Sequence, residues 1–326
     1  MTKVLIIRFS SIGDIVLTTP VIRNLKEQIY GEVEIHYLTK KSFASILEPN
    51  PHLSKICTIE KSTNEILDQL KDEHYDYIID LHKNLRSARV KRALKCLSFS
   101  FNKLNWEKWL LVNFGINKLP DVHIVDRYME SLKAFGIKND NKGLDYFIRE
   151  EDRNLSIPES HQRGFIAVGI GAAHWRKKLR LAQNVEICRK IDFPITLLGG
   201  PDEKEEGIKI AKELGGRVWN TAGSTTIGQS AFLIEKCELL ISPDTGIMHI
   251  AAALKKPIIS IWGATIPGFG MYPYQNENLN KMVEASHLNK RPCSKLGTKC
   301  KYKPCKCIDE LPLSEIVETA TLQIKP

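Results

Sequence analysis

The chain has 326 residues, of which 43% are hydrophobic, and it carries a formal charge of +9. This length exceeds the size at which one core usually stops growing, so two domains are expected. No run approaches the roughly 20 apolar residues of a membrane span, and the N-terminus lacks the features of a secretory signal, so we expect a cytoplasmic protein. The charge indicates an anionic partner, which includes nucleic acid, an acidic membrane surface or a phosphorylated substrate.

The first half of the chain alternates between short apolar runs and segments with helical periodicity. The pattern predicts strands at residues 4–9, 33–38 and 77–81 and helices at residues 15–29 and 125–135. Such an alternation is typical of βαβ units with a parallel sheet. A polar stretch from 149 to 164 is expected to link this half to the next.

The second half repeats the scheme, so we expect an α/β protein of two doubly wound domains with a cleft between them. Its predicted elements are strand 165–170, helix 182–191, strand 195–198, helix 205–214, helix 227–236, strand 239–241, helix 249–254 and strand 258–262. The expected domains span residues 1–155 and 156–312, and a last helix within 313–326 is expected to cross back to the first domain. Gly169-Ile170-Gly171 is only a fragment of the dinucleotide-binding fingerprint, so a dehydrogenase is a weak interpretation.

The most informative stretch is the junction at residues 241–254, where an apolar strand breaks at Pro243 and an apolar helix follows. The first turn of a helix has unpaired N–H groups and a partial positive charge, so a phosphate would bind well against Thr245 and Gly246. Asp244, at the carboxyl end of the strand, could accept hydrogen bonds from a sugar or ribose hydroxyl. The simpler alternative is that Asp244 or Thr245 only caps the helix.

The Asp-Thr-Gly tripeptide at this junction is also the signature of aspartic proteases. Their chemistry needs two carboxylates that share a proton. The chain has no second Asp-Thr-Gly, and no run of hairpin strands surrounds this one. We therefore set the protease interpretation aside.

A second polar loop follows the first predicted strand. Ser10, Ser11 and Gly13 form a tight loop at its carboxyl end, and Asp14 emerges at the start of the next helix. A carboxylate at this place can take a proton from an incoming hydroxyl. The alternative is again that Asp14 caps its helix.

Basic residues crowd at two places in the chain. The first cluster consists of Lys83, Arg86, Arg89, Lys91, Arg92 and Lys95, and the second of Arg176, Lys177, Lys178 and Arg180. Aromatic side chains are not interleaved with either cluster as a base-stacking surface requires, which disfavours a nucleic-acid partner. The simpler interpretation of both clusters is a solvated helix face.

Eight cysteines fall into two groups. Four stand singly among apolar or helical residues and are expected to be buried small side chains: Cys57, Cys96, Cys188 and Cys237. The other four crowd one basic loop: Cys293, Cys300, Cys305 and Cys307. Their spacing is not a pair of C-x-x-C knuckles, and a bound metal, a disulfide and free thiols all remain open.

Taken together, the two polar loops resemble the motifs of a known enzyme family. Ser10-Ser11-Ile12-Gly13-Asp14-Ile15-Val16, with Pro20, is similar to the N-terminal motif of the heptosyltransferases of glycosyltransferase family 9. Asp244-Thr245-Gly246-Ile247-Met248-His249, with Ala251-Ala252-Ala253, is similar to their C-terminal motif. Three further segments resemble the family: Trp262-Gly263-Ala264-Thr265 with Pro267, Tyr272-Pro273-Tyr274, and Arg291-Pro292-Cys293.

The resemblance implies a GT-B fold, with two Rossmann-like domains and a nucleotide-diphosphate sugar bound mainly by the C-terminal one. It implies an inverting transfer without a metal or other cofactor, in which Asp14 is the general base. The residues that match the donor-binding positions are Lys177, Glu203, Asp244, Thr245, Gly246 and His249, with Lys178 replacing Lys177 if the register shifts by one. Ser10, Ser11 and Gly13 form the supporting loop around the base.

Three departures from the family pattern surround Lys177. Arg180 stands where the family usually has Pro, and Asn184-Val185 occupy the region of a frequent Trp. Ala172-Ala173 replace Thr residues that face the phosphates in some members. These changes bear on the geometry around Lys177 more than on the type of reaction.

The expected function is transfer of heptose from ADP-heptose to the inner core of lipopolysaccharide. The basic enzyme would meet its anionic, lipid-linked acceptor as a peripheral protein on the cytoplasmic face of the inner membrane, and domain closure would bring Asp14 to the donor. The first alternative is a GT-B enzyme that uses a different nucleotide sugar or acceptor in cell-surface glycan synthesis. The second is a nucleotide- or nucleic-acid-binding module without transfer activity.

Overall fold

The computed structural model describes residues 1–274 and 279–324, which divide into two compact units. The first unit consists of Met1–Lys103 and Val122–Phe147, and the second of Leu104–Asp121 and Ile148–Pro326. Each unit has one sheet in which all the paired strands are parallel. Among the described residues, no helix is both long enough and apolar enough to cross a bilayer.

The strands form two sheets with different strand orders. The strands of the first unit are β1 (Thr2–Ile7), β2 (Val33–Lys40), β3 (Lys55–Ile59), β4 (Tyr77–Asp80) and β5 (Leu97–Ser100). The strands of the second are β6 (Ile166–Gly169), β7 (Ile195–Leu198), β8 (Val218–Asn220), β9 (Leu239–Pro243), β10 (Ile258–Trp262) and β11 (Asn280–Glu284). The sheet orders are β3-β2-β1-β4-β5 and β11-β10-β9-β6-β7-β8.

Most of the helices connect consecutive strands. Those of the first unit are α1 (Ile12–Val16), α2 (Thr19–Gln28), α3 (Leu67–Asp72), α4 (Leu85–Leu94) and α6 (Ile124–Met129), and α5 (Asn105–Phe114) belongs to the second unit. The remaining helices of the second unit are α7 (Leu181–Lys190), α8 (Lys204–Leu214), α9 (Ile227–Lys236), α10 (Gly246–Ala253), α11 (Lys306–Asp309) and α12 (Leu313–Gln323).

The central strands are apolar because helices and loops cover both faces of a parallel sheet. In β1, Val4, Leu5, Ile6 and Ile7 have no exposed surface, and every residue of β9 is buried. Leu5 lies opposite Ile78 of β4 in the register. The sheets therefore rest on continuous apolar runs, which are what the sequence pattern detects.

Each sheet has a topological switch point beside its first strand. The chain leaves β1 for β2 on one side and later places β4 on the other, and it does the same around β6 with β7 and β9. Ligands of open parallel sheets bind at the carboxyl ends of the strands flanking such a point. We name these places the β1/β4 edge and the β6/β9 edge.

Two predicted helices differ from those observed. The predicted helix at 15–29 is divided into α1 and α2, because Pro20 lies in the first turn of α2, where a missing N–H costs no hydrogen bond. The predicted helix at 125–135 is α-helical to Met129 and continues as the 3-10 helix Glu130–Phe135.

The stretch predicted as a linker packs onto the second unit. It contains the 3-10 helices Glu150–Arg153 and Glu159–His161. Buried Asp152 accepts a hydrogen bond from Thr226 Oγ1 at 2.9 Å, and Arg153 pairs with Glu235 of α9 at 2.5 Å. The predicted linker is accordingly part of the second unit, which contains the chain from Ile148 onward as well as Leu104–Asp121.

The last helix packs within the second unit, and its predicted crossing to the first unit stays a prediction. Helix α12 contacts α7, β10 and β11, and its Ile316 and Ala320 are fully buried in the core of the second unit. The apolar face of α12 therefore packs against the core of the second unit. The end of the predicted segment, residues 325 and 326, lies outside the described residues.

The two basic clusters have different structures. The first forms α4 and its flanks, and exposes Arg86, Arg89, Arg92 and Lys95 on one helix, as the solvated-face interpretation predicts. The second precedes α7 as an irregular segment, and its Lys177 and Lys178 are only partly exposed. A helix face is therefore wrong for the second cluster.

Candidate active site

Asp14 lies at the β1/β4 edge, in the first turn of α1. Its Oδ1 is 2.6 Å from Arg8 Nη2, and its Oδ2 accepts hydrogen bonds from Ser11 Oγ at 2.8 Å and Ser11 N at 3.2 Å. Ser11 is the N-cap of α1, so the carboxylate also satisfies the helix start. Its side chain keeps 21% of its exposure, which leaves the carboxylate within reach of a reactant hydroxyl.

Arg8 follows β1 and fixes Asp14 from the buried side. Its guanidinium also donates to the Ser10 carbonyl at 2.8 Å, the Leu81 carbonyl at 2.6 Å and Tyr128 Oη at 2.9 Å. Burial lowers the pKa of Arg8, but the charges of Asp14 and nearby tyrosines outweigh this and raise it overall. Arg8 is therefore a permanent cation that orients the carboxylate.

His82 lies directly after β4, at the same edge. Its ring packs edge-on against Phe9 with the centroids 5.0 Å apart, and its Nδ1 is buried without a hydrogen-bond partner. Burial, helped by the positive charges of Arg8 and Lys103, lowers the pKa of His82 to about 4. His82 is thus a neutral imidazole at pH 7 beside the charged Arg8–Asp14 pair.

Asp80, the last residue of β4, shapes the turn that carries His82. It is completely buried and accepts hydrogen bonds from the backbone N–H groups of His82 at 3.1 Å and Lys83 at 2.7 Å. Ser87 Oγ donates to it at 2.8 Å, and Lys91 Nζ lies 3.1 Å away. These contacts assign Asp80 a structural role.

Asp244 and Lys177 form an ion pair at the β6/β9 edge. Lys177 Nζ lies 2.6 Å from Asp244 Oδ2, and Thr265 Oγ1, after β10, donates to the same oxygen at 2.9 Å. Both charged side chains are mostly buried, with 17% and 11% exposure for Lys177 and Asp244. The pair places a cation at the carboxyl end of β9, where the helix that follows begins.

The N-terminus of α10 adds unpaired backbone donors to that cation. Thr245 occupies the N-cap position without a side-chain capping hydrogen bond, and its Oγ1 lies 3.2 Å from Ser242 Oγ. The side-chain contacts of Asp244 are with Lys177 and Thr265. Thr245 is thus the N-cap by position but makes no side-chain capping hydrogen bond, and the helix N-terminus at Gly246 keeps its capacity for an anion.

Glu203 and Lys178 form the other part of the β6/β9 edge. Glu203 Oε2 accepts from the Gly200 N–H at 3.1 Å, while Lys178 Nζ lies 3.5 Å from Glu203 Oε1 and 2.9 Å from Glu206 Oε2. Gly171, after β6, leaves the space that Glu203 occupies, because a Cβ there would lie 2.8 Å from Glu203 Oε2. Lys177 and Lys178 thus contact different carboxylates, and the assignment of Lys177 to the donor phosphates stays a prediction.

His249 lies within α10 and is 2% exposed, so it belongs to the buried side of that helix.

Two of the departures from the family pattern lie at α7. Arg180 is the N-cap of α7 and pairs with Asp309 at 2.9 Å, while Asn184 is buried and donates to Glu206 at 3.2 Å. Asn184 therefore supports the carboxylate that Lys178 contacts.

The structure collects the predicted site residues into two groups, one on each unit. Ser10, Ser11, Gly13 and Asp14 lie at the β1/β4 edge, and Lys177, Glu203, Asp244, Thr245 and Gly246 lie at the β6/β9 edge. Their roles in a reaction stay predictions.

Sequence reasoning missed Arg8, His82 and Thr265, which complete the two groups. Arg8 is the last polar residue before the Ser10 loop, and Thr265 stands in a segment already noted for its resemblance to the family. A signal was thus available for both. His82 has none, because its closeness to Arg8 depends on the parallel pairing of β1 with β4.

Two α/β units, each with a parallel sheet, are the architecture of the GT-B fold. The sequence model described as "Glycosyltransferase family 9 (heptosyltransferase)" matches residues 64–304. The chain therefore belongs to glycosyltransferase family 9 and is a glycosyltransferase enzyme.

Curated relatives resemble the chain over most of its length. Lipopolysaccharide heptosyltransferase 1 of Campylobacter coli is 27% identical, over 86% of this chain and 89% of the relative. The lipopolysaccharide core heptosyltransferase OpsX of Haemophilus influenzae is 23% identical, over 96% of this chain and 94% of the relative. Both alignments are long enough to include both units.

Solved structures show the same fold. A family 9 glycosyl transferase from Veillonella parvula superposes with a TM-score of 0.77 and 20% identity, over 99% of this chain and 97% of that one. The ADP-heptose lps heptosyltransferase II of E. coli gives a TM-score of 0.74 and 19% identity, over 99% and 98% of the two chains. The predicted GT-B fold is confirmed.

Proposed function

We propose that this enzyme transfers heptose from ADP-heptose to the inner core of lipopolysaccharide, with inversion and without a metal in the chemical step. The observation that carries the proposal is the division of charged groups between the two edges. The β1/β4 edge holds a carboxylate fixed by Arg8, and the β6/β9 edge holds a lysine beside a helix N-terminus. The relatives named as lipopolysaccharide heptosyltransferases support the choice of sugar and acceptor.

Donor binding is proposed for the β6/β9 edge. The diphosphate of the donor would lie against the N–H groups at Thr245 and Gly246, within reach of Lys177. Asp244 holds Lys177 at this edge, and the flexible stem of the lysine lets its ammonium move from Asp244 toward the diphosphate and donate hydrogen bonds to it. Glu203, which is 9% exposed and held by Gly200, is proposed to accept hydrogen bonds from the ribose.

The chemical step exchanges one bond at the anomeric carbon for another. An acceptor hydroxyl attacks this carbon and gives its proton to Asp14, while the bond to the diphosphate oxygen breaks and ADP leaves with the electron pair. Lys177 and the N-terminus of α10 would stabilise the charge on the leaving diphosphate. Inversion requires the acceptor oxygen held at Asp14 to reach the face of this carbon opposite the leaving group.

Similar solved structures support adenine as the base of the nucleotide donor. The E. coli heptosyltransferase WaaC has been solved with ADP, with a TM-score of 0.68 to this chain, and with ADP-2-deoxy-2-fluoro heptose, with a TM-score of 0.66. Calorimetric titration with ADP, UDP and GDP tests this choice. Tighter binding of ADP supports the proposed donor, and preference for UDP or GDP would favour the alternative of a different nucleotide sugar.

The anionic acceptor is proposed to bind beside α4. This helix begins just beyond the carboxyl end of β4, and so at the same edge as Asp14. Its exposed face carries Arg86, Arg89 and Arg92. Three guanidinium groups on one face are suited to phosphate groups, which arginine binds with paired hydrogen bonds.

Peripheral contact with the inner membrane, on its cytoplasmic face, is proposed for helix α5. Trp106 and Phe114 are 65% and 63% exposed, and the ring of Trp109 stacks on that of Trp106 at a centroid distance of 4.9 Å. The opposite side of the helix buries Leu111. Exposed tryptophans of this kind are typical of the membrane–water interface.

The membrane contact can be tested by sedimentation with anionic vesicles. Replacing Trp106 and Trp109 by Ser should reduce the bound fraction, while the exposed Tyr30→Ser on the first unit should not. Equal binding of both variants would contradict the use of α5.

The transfer proposal is tested by Asp14→Asn with ADP-heptose and a lipopolysaccharide precursor that ends in the inner-core sugar. Loss of the general base should lower kcat by about 10²–10⁴-fold and leave ADP binding intact. Asp68→Asn, a highly exposed carboxylate on the same unit, is the matched control. Full activity of Asp14→Asn at saturating donor would refute the assignment of the base. Competition of RNA with ADP for the enzyme would instead favour a nucleic-acid-binding module.

A further inference from the structure

The cysteine-rich loop between β11 and α12 brings its thiols together. Cys293 Sγ lies 3.1 Å from Cys307 Sγ and 3.9 Å from Cys300 Sγ, and all three sulfur atoms lie within 4.8 Å of one another. The side chain of Cys305 is 4% exposed and interacts with the Cys300 thiol. Three of the four cysteines in this stretch of fifteen residues thus converge on one point, and Cys305 lies beside them.

A disulfide does not account for this arrangement. The eight cysteines are free thiols, and a disulfide would pair only two sulfur atoms and leave the others crowded against it. Thiolates around a tetrahedral Zn²⁺, with Zn–S bonds of about 2.3 Å, lie roughly 3.8 Å apart. Three mutual neighbours with a fourth thiol beside them match the geometry of such a site more closely than that of a disulfide.

The charge of the loop also favours a thiolate-bound cation. Four thiolates around one divalent ion carry a net charge of −2, which has to be compensated. The loop supplies five lysines within twelve residues: Lys295, Lys299, Lys301, Lys303 and Lys306. Lysines near a thiol favour its ionised form, which is the form that binds metal.

The apolar core beneath the loop is too small to hold it alone. The buried cluster contains Ala264, Cys293 and Cys307, with Leu288, Cys300 and Tyr302 packed against it. Apart from the short helix α11, residues 285–312 form no regular element. Small segments of this kind commonly depend on a metal or a disulfide for a fixed structure.

The same loop forms the support behind Lys177. Cys293 N donates to the Ala264 carbonyl at 2.9 Å, and Arg176 Nη1 donates to the Thr298 carbonyl at 2.8 Å. Gly297, at φ +75°, lies against the Lys177 stem, where a Cβ would be 2.9 Å from Lys177 Cγ. The position of the loop therefore determines the position of the Lys177 side chain.

We propose that Cys293, Cys300, Cys305 and Cys307 bind one structural Zn²⁺ that fixes this loop against Lys177. Zinc fits because four thiolates form a closed, redox-inert site without an open position for water. The ion takes no part in the transfer step. Its binding is independent of the sugar and acceptor proposed above, so the two proposals can fail separately.

The first test is the metal content of the full chain, purified under reducing conditions. Elemental analysis should find about one zinc per chain, and replacement by Co²⁺ should give the absorption of tetrahedral cobalt–thiolate coordination. Less than about 0.1 metal per chain, together with a Cys293–Cys307 disulfide under non-reducing conditions, would overturn the proposal. Iron in place of zinc would keep the thiolate site and overturn the choice of metal.

The second test compares Cys→Ser variants by zinc affinity in competition with a chelator. Cys293→Ser, Cys300→Ser and Cys307→Ser should each weaken binding by at least about 10–100-fold, and Cys96→Ser in the first unit should not change it. If Cys305→Ser also leaves the affinity unchanged, its assignment as the fourth ligand is wrong. Where a variant misfolds, thiol labelling of the unmodified chain decides: chelator should expose four additional thiols, and no change on chelation would refute the site.

Discussion

The two ligand edges occupy equivalent places on the two sheets, but their charges are arranged in opposite ways. At the β1/β4 edge, a cation with several other acceptors holds a carboxylate, because Arg8 also binds the Leu81 carbonyl and Tyr128. At the β6/β9 edge, a carboxylate held by Thr265 binds a cation, Lys177.

The difference reflects two requirements: Asp14 has to keep one orientation, whereas Lys177 has to interact with both Asp244 and the diphosphate. The planar guanidinium of Arg8 makes several directed hydrogen bonds, so it fixes the orientation of Asp14. The ammonium of Lys177 is a compact charge on a flexible stem, so it can move between Asp244 and an incoming diphosphate. Changes at the first edge should therefore affect kcat alone, and changes at the second should also weaken the binding of the nucleotide donor.

After Asp14→Asn, the largest effect is expected from Lys177→Ala. Loss of the cation at the leaving diphosphate should lower kcat/KM for the donor by about 10²–10³-fold and weaken the binding of ADP. Steady-state kinetics and calorimetry measure the two quantities.

Lys177→Ala also leaves the charge of Asp244 without its lysine, and the double variant Lys177→Ala/Asp244→Asn separates the two effects. If the double variant recovers most of the activity, repulsion by Asp244 was the cause, and the lysine does not act on the phosphates. Lys190→Ala, an exposed lysine of α7, is the control for a lost surface charge.

A smaller effect is expected from Arg8→Lys, which keeps the positive charge and loses the planar guanidinium with its several N–H donors. A lysine cannot satisfy Asp14, the Leu81 carbonyl and Tyr128 together, so Asp14 should lose its fixed orientation. We expect kcat to fall by about 10–100-fold with ADP affinity unchanged.

The control for Arg8→Lys is the same substitution at exposed Arg163. Weaker ADP binding by Arg8→Lys would show that the two edges are not separate in function. In that case the β1/β4 edge would contribute to donor binding as well as to kcat.

The parts of the fold that could be predicted are those whose sequence carries its own signal. Strands β1 and β9 are largely apolar runs; Asp244 follows β9 directly, and Asp14 lies in the helix that follows β1. The edge strands β3, β5, β8 and β11 were missed because they are only partly buried and lack a continuous apolar run, so partner strands rather than their own pattern define them. Helix α5 could not be assigned to the second unit from its place in the sequence.

The candidate site was predictable where motifs adjoin strands and unpredictable where contacts cross between elements. The assignment of Lys177 rather than Lys178 to Asp244 depends on the conformation of an irregular segment. The contact between Gly171 and Glu203 joins residues far apart in the chain. Neither residue spacing nor periodicity contains this information.

The β1/β4 edge should also make the first unit sensitive to acid through His82. Burial and the nearby Arg8 and Lys103 lower the pKa of His82 from 6.5 to about 4, so the unfolded chain binds the proton more readily than the folded one. The free energy of unfolding should therefore fall as the pH decreases from 6.5 to 4. Allowing for partial exposure, this contribution is about 2 kcal/mol.

Urea unfolding of the wild type and of His82→Gln at several pH values measures the effect. The variant should lose less stability than the wild type between pH 6.5 and 4, since the titrating group is gone. His74→Asn is the control, because asparagine tolerates the positive φ of 54° found there. Identical pH dependence of the wild type and His82→Gln would rule out His82 as the cause.

The smallest effect is expected at the β6/β9 edge from Gly171→Ala. The new Cβ would lie 2.8 Å from Glu203 Oε2, so the end of the Glu203 side chain must rotate away from the space it occupies. Since only a flexible side chain has to move, the thermal midpoint should change little. If Glu203 binds the ribose, the KM for the donor should rise by about 5–10-fold with kcat unchanged.

Gly200→Ala is the matched control for Gly171→Ala, because its Cβ would lie 3.5 Å from Glu203 Oε2, an ordinary contact distance. A higher KM in Gly171→Ala but not in Gly200→Ala would place the effect on the Glu203 carboxylate. An unchanged KM in both variants would remove Glu203 from the donor site and restrict the donor contacts of the second unit to Lys177 and the N-terminus of α10. A lower kcat with unchanged KM would mean that Glu203 acts on the chemical step rather than on donor binding.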